Sequence, residues 1–258
     1  MKKFGKNIWI GLILIGMVLV LTSGCVQKTQ ETAPAETQTP TPVQTGMGNG
    51  IGVGHGVGQG QGAGQHGNSG MGNGNMGSMG STIMANVETL PRQNLSQDEI
   101  DGIMYMREEE KLARDVYLAL YDKWGLQIFS NIARSEQMHM DAVLALIKKY
   151  NLTDPAKDVG EFTNPHLQEL YDNLVEQGSK SEVDALKVGA LIEEVDIKDL
   201  KDWLAKNDNE DIELVYDNLM RGSENHLRAF TSVLKNYGVT YEPQVISEDE
   251  YQEIINAR

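Results

Sequence analysis

Apolar residues recur at helical spacing in four long segments between residues 97 and 237, and polar residues take the remaining faces. The first segment carries Ile103, Met106, Ala113, Tyr117, Leu120 and Trp124 and predicts a helix over 97–124. Ser96-Gln97-Asp98-Glu99 is a capping box at its start, and Gly125 is a stop at its end. The second predicts a helix over 126–150, with Phe129, Ile132, Val143, Leu146 and Tyr150 on one stripe. A connection over 151–164, broken by Pro155 and Gly160, leads to Asn164-Pro165, which starts a short helix over 165–176 that Gly178 stops. Ser181 caps a third long helix over 182–205. After Asn207–Asn209 a fourth runs to Tyr237 and ends at Gly238, and Ser247 caps a last short helix. No segment alternates with strand period. The expected fold is all-α: an antiparallel four-helix bundle over residues 82–258, with a short extra helix in the middle crossover and a short C-terminal helix.

Each long stripe is interrupted near its middle by residues foreign to an apolar core. Glu110 falls between Met106 and Ala113; Glu108 lies off that stripe, and Glu109, flanked by Tyr105, Leu112 and Val116, competes with Glu110 for the inward position. On the second helix the interruption is the pair Glu136 and His139, three residues apart and therefore on one face. The third stripe, Leu186, Ala190, Glu193, Ile197, Leu200 and Leu204, contains Glu193, with Glu194 as its competitor. The fourth, Leu219, Ser223, His226, Phe230, Val233 and Tyr237, contains His226. Carboxylates and imidazoles on a core face are costly unless paired, hydrogen-bonded or bound to metal. Three carboxylates and two imidazoles from four helices suit iron, manganese or zinc. A buried Glu–His–Tyr hydrogen-bond network without metal uses the same residues. Tyr117, on the Glu110 face, is placed to hydrogen-bond a ligand carboxylate. Methionines 104, 106, 138 and 140 lie near the same level and read first as core filler.

Glu110-x-x-Ala113-Arg114-x-x-Tyr117 resembles the first-helix motif of rubrerythrins and related ferritin-like proteins, and Glu136-x-x-His139 resembles their second-helix motif. From about Leu90 to Tyr251 the chain is similar to the ferritin-like family catalogued as domain of unknown function 2202, through its EEEKLARDVY, GALIEEVDI and GSENHLRAF segments. That resemblance implies a ferritin-like bundle with Glu110, Glu136, His139, Glu193 and His226 as ligands of iron, or of manganese or zinc, as a di-metal or a single-metal site. The family's own activity is not settled, so the chemistry comes from the residues: carboxylates that bridge two ions support metal oxidation or peroxide reduction, with no catalytic residue or redox partner named. One departure stands out. The ferritin-like fourth helix carries a second Glu-x-x-His, but Ser223 stands three residues before His226, and Glu224 is rotated by about 100°. This leaves open a non-catalytic binding or scaffold module that kept the bundle without a working metal centre.

The formal charge is −15, and it is divided unevenly: Lys2, Lys3, Lys6 and Lys28 against Glu31 and Glu36 leave the first eighty residues at +2 and the remainder at −17. So acidic a domain repels phosphates and excludes nucleic acid as a partner. Basic residues, an apolar run over 8–21, and Thr22-Ser23-Gly24 before Cys25 read as a secretory signal with a lipoprotein processing box over residues 1–25, Cys25 being the lipidation site. An uncleaved N-terminal anchor is the other reading. Either puts the chain outside the cytoplasmic membrane and tethered to it. Residues 26–81, first rich in Thr and Pro and then holding 16 of the 27 glycines, are expected to form a disordered stalk. A homodimer is one assembly open to such a bundle.

Overall fold

The computed structural model describes residues 85–257. The expected signal segment, Cys25 and the whole of the expected stalk lie outside the described residues. After a helical stretch over 85–89 come α1 (Gln97–Trp124), α2 (Gln127–Tyr150), α3 (Pro165–Gly178), α4 (Glu182–Leu204), α5 (Glu210–Asn236) and α6 (Glu248–Asn256). Among the described residues there is no strand, and the fold is an all-α helical bundle.

Local sequence sets the helix ends. At the start of α1, Glu99 N donates to Ser96 Oγ (3.2 Å) and Ser96 N donates to Glu99 Oε2 (2.7 Å), which closes the capping box. Gly125 ends α1 in the left-handed conformation, φ 67°. Asn164 caps α3 ahead of Pro165. Gly178 is the last residue of α3, so the helix runs two residues beyond the expected 176 and ends at the expected glycine. The lack of a side chain at Gly178 also serves packing, because an added Cβ would lie 2.7 Å from Leu120 Cδ2, while its carbonyl accepts from Trp124 Nε1 at 2.9 Å. Tyr237 also departs from expectation. It lies just past α5, is largely exposed, and donates to Glu182 Oε2 at 2.7 Å.

Side-chain contacts give the register. Along α1 and α2, Arg107 reaches the Met140 carbonyl and Arg114 reaches Gln137. Tyr105 packs on Trp203 and Tyr117 meets Glu193 across α1 and α4. Phe129 packs on Phe230, Ser135 meets His226, and Tyr150 meets Asp211 across α2 and α5. In every pair one number rises as the other falls, so neighbouring long helices are antiparallel. Helices α2 and α4 therefore run the same way, and the chain between them must travel back along the bundle. Residues 151–164 and α3 make that return over α1: Thr163 N and Asn164 N donate to Glu108, and Gly160 N donates to Asp115.

The core has two apolar clusters. One holds Tyr117, Leu120, Phe129, Ala190, Phe230 and Leu234; the other holds Ile103, Met106, Val143, Leu146, Leu200 and Leu219. The residues that interrupted the stripes lie between them.

Candidate metal centre

Glu110 from α1, Glu136 and His139 from α2, Glu193 from α4 and His226 from α5 are brought together at mid-bundle. The four carboxylate and imidazole helices converge in two groups, Glu110–Glu136–His139 and Glu136–Glu193–His226, each with one ligand atom per residue within 4.8 Å of the others. Glu136 belongs to both. Its Oε2 is 2.8 Å from His139 Nδ1 and its Oε1 is 2.8 Å from His226 Nδ1. Glu110 Oε2 lies 3.1 Å from His139 Nδ1, and Glu193 Oε2 lies 3.4 Å from His226 Nδ1. The two imidazoles face each other, with ring centroids 5.6 Å apart.

Proximity here exceeds hydrogen bonding. His226 Nδ1 and Glu136 Oε1 are close, yet neither makes a directed hydrogen bond, and Glu110 Oε1 is buried without a donor. Buried polar atoms left in this state are rare and costly. Donor atoms that crowd together without satisfying one another fit a cation placed among them.

Neighbouring residues orient these side chains. His226 Nε2 lies 2.9 Å from Ser135 Oγ. A proton on Nε2 donated to Ser135 leaves the Nδ1 lone pair turned toward Glu136 and Glu193. Tyr117 Oη donates to Glu193 Oε1 at 2.5 Å and is wedged between Phe129 and Phe230. Gly222 gives His139 its space, since an added Cβ would lie 2.4 Å from Cε1 and Nε2 of the ring.

The charges are strongly interdependent. Burial pushes Glu110 up to about 7, against the pull of His139. Burial also raises Glu193, with Glu136 adding to it and His226 opposing. For Glu136 burial is outweighed by His226 and His139, which hold it far below the usual carboxylate range. Both histidines rise despite burial: His139 well above its usual value through Glu110 and Glu136, and His226 to about 10 through Glu136 and Glu193. Without a metal the centre is thus a shared-proton network of imidazolium and carboxylate.

The competing acids go elsewhere. Glu109 is buried, and neither of its oxygens finds an N–H or O–H donor. It faces Asp199, and burial together with Asp199 and Asp196 pushes it well above the usual carboxylate range. Glu194 points away from the centre: its carboxylate accepts from Tyr241 Oη and from the backbone N–H groups of Gln244, Val245 and Ile246. Glu224 is half-buried and belongs to neither ligand group. His166 is exposed at the start of α3.

Sequence reasoning missed Asp196. It is 5 % exposed and hydrogen-bonded through Oδ2 to Ser223 Oγ, while its Oδ1 is buried without a partner. The signal was available as Glu193-x-x-Asp196, the spacing that puts two residues on one helix face.

The family model described as an uncharacterized protein domain, DUF2202, matches residues 99–258. The chain belongs to the DUF2202 family. Every residue of the centre lies within the stretch that defines this DUF2202 protein. An uncharacterized protein of Methanocaldococcus jannaschii, MJ0754, is 61 % identical over 173 residues, which is 66 % of this chain and 94 % of the relative. The crystal structure of hypothetical protein MJ0754 matches at 62 % identity with a TM-score of 0.65, covering 66 % of this chain and 98 % of that one.

Proposed function

We propose that the bundle is a ferritin-like metal-binding domain that holds iron, or manganese or zinc, in its core. Glu110 and His139 hold one side, Glu193 and His226 the other, and Glu136 serves both. The observation that carries this reading is the double engagement of Glu136, 2.8 Å from each imidazole with one of those approaches making no directed hydrogen bond. Carboxylate oxygen with imidazole nitrogen is the donor set for first-row divalent metals, and a redox-active metal so held supplies electron transfer to oxygen or peroxide. The chain's own residues do the rest. Ser135 fixes the His226 tautomer, Tyr117 orients Glu193, and the Tyr117–Phe129–Phe230 cluster keeps water from one end. With the N-terminal reading above, the domain works outside the cytoplasmic membrane, held by a lipid on Cys25 or by an uncleaved anchor.

A second reading has one observation in its favour. Ser223 takes the place of a carboxylate, and the five residues form ion pairs among themselves that can close the core without metal. On that reading the bundle is a scaffold or binding module.

Metal content separates the two. The purified full chain, incubated with Fe(II), Mn(II) or Zn(II) and desalted, is expected to retain stoichiometric metal that a Glu136→Ala/His139→Ala variant loses. The paired variant subtracts any metal held elsewhere on the chain. Equal sub-stoichiometric retention in both sinks the metal reading, and oxygen or peroxide consumption with Fe(II) then tests for turnover.

A further inference from the structure

The proposed centre has an asymmetric ligand set. Helix α2 supplies a carboxylate and an imidazole, whereas α5 supplies an imidazole and, one turn earlier, only Ser223. Ser223 is 1 % exposed, and its hydroxyl is directed to Asp196 Oδ2 and to the Leu219 carbonyl at 3.0 Å. Asp196 is one turn after Glu193 on α4, on the same face. Its second oxygen, Oδ1, is buried with no partner of any kind. The place of Asp196 three residues after Glu193 and its bond to Ser223, three residues before His226, put it one turn along from both, beside the two ligand groups and outside them. Neither arginine nor lysine pairs with it among the described residues. A buried carboxyl with one oxygen fixed by a hydroxyl and the other free is costly as a packing group. It is well suited as a ligand whose direction is set by its outer hydrogen bond.

We infer that Asp196 is the fourth carboxylate of the centre, supplied by α4 in place of the missing glutamate of α5, and that Ser223 is the residue that positions it. The inference rests on the metal-binding reading above. The carboxylate has changed helix and is bonded to the residue that stands at the α5 position. Hard oxygen donors are thereby increased relative to nitrogen, which favours iron and manganese over softer ions.

The test is a titration of the full chain with Co(II), followed by absorbance in the visible and by metal analysis, with anaerobic Fe(II) as the second probe. Asp196→Asn keeps the shape of the side chain and is expected to weaken metal binding about tenfold or more and to change the Co(II) spectrum. Asp196→Ala/Ser223→Glu returns the carboxylate to α5 without changing the number of heavy atoms in the core. It is expected to recover affinity to within about threefold of wild type, well inside the loss that removal of an outer ligand partner produces. Helix content by circular dichroism accompanies each variant. If Asp196→Asn binds both probes as wild type does, Asp196 is not a ligand and the inference is overturned while the centre stands. A folded swap variant that stays as weak as Asp196→Asn also overturns it, because a carboxylate at this place then does not determine affinity. A wild-type chain that binds neither probe overturns the inference together with the reading beneath it.

Discussion

Consecutive glutamates in EEEKLARD have three separate fates because each step along a helix turns the side chain by about 100°. Glu108 ties down the crossover, Glu109 faces Asp199, and Glu110 faces His139. The same resolution applies to glycines. Gly222→Ala puts a Cβ 2.4 Å from two atoms of the His139 ring, and a ring between Glu110 and Glu136 cannot withdraw without losing one of them. Metal affinity is expected to fall about tenfold with helix content retained, as measured by titration alongside circular dichroism. Gly189→Ala is the contrast. Its Cβ meets Phe230 at 2.4 Å, so the cost appears in stability, about 1–3 kcal/mol in urea denaturation, and less in affinity.

Helix α1 is covered by α2, by α4 and by the returning crossover, and so it buries polar residues on a face that an isolated amphipathic helix would expose. Lys111 and Asp115 are both fully buried, with Nζ 2.6 Å from Oδ2. Lys111 also donates to the Glu161 carbonyl at 2.9 Å and sits over the Phe162 ring, and Asp115 accepts from Gly160 N at 2.9 Å and from Arg114. The pair holds residues 160–162 against the helix. Asp115→Ala strands a buried ammonium and is expected to cost about 3–5 kcal/mol, read as a lower urea midpoint. Lys111→Met/Asp115→Leu removes both charges and is expected to recover most of that loss. A double variant as unstable as the single one would mean that the hydrogen bonds to the crossover, and not the stranded charge, set the cost.

For the whole molecule, the proton network makes stability depend on pH, and the proposed metal site adds a dependence on metal. His226 is raised from 6.5 to about 10 in the folded chain, so its contribution is full below pH 6.5 and is lost as pH rises toward 10. Glu110 is raised from 4.5 to about 7, so the folded chain holds a proton that the unfolded chain has released, and stability falls across that interval as well. Glu136 is depressed; its contribution is present above pH 4.5 and is lost as pH falls below it. With a chelator present, thermal denaturation is expected to show highest stability at mildly acidic pH and a decline from pH 6.5 toward 10. Excess Mn(II) is expected to reverse the alkaline part, because metal displaces protons from the imidazoles and binds more tightly as pH rises. Identical profiles with and without metal would disprove this linkage.

Much of this was legible in the residues. Caps and breakers placed both ends of α1 and the starts of α4 and α6 almost to the residue, since Ser96, Gly125, Ser181 and Ser247 act through bonds within one turn. Periodicity put Glu110, Glu136, His139, Glu193 and His226 on inward faces, because a stripe that is apolar above and below leaves a polar residue no other direction. What periodicity cannot report is how many faces of a helix are covered. That is why Glu109 competed with Glu110, and Glu194 with Glu193: residues 241–246 occupy Glu194, and Asp199 occupies Glu109, and neither contact is local. It is also why Asp196 went unread: its meaning depends on Ser223, 27 positions away on another helix. The sequence alone determined four helices with an acid–imidazole layer at mid-length. Only tertiary structure decided which acids share that layer, because the choice rests on contacts between helices that no local rule encodes.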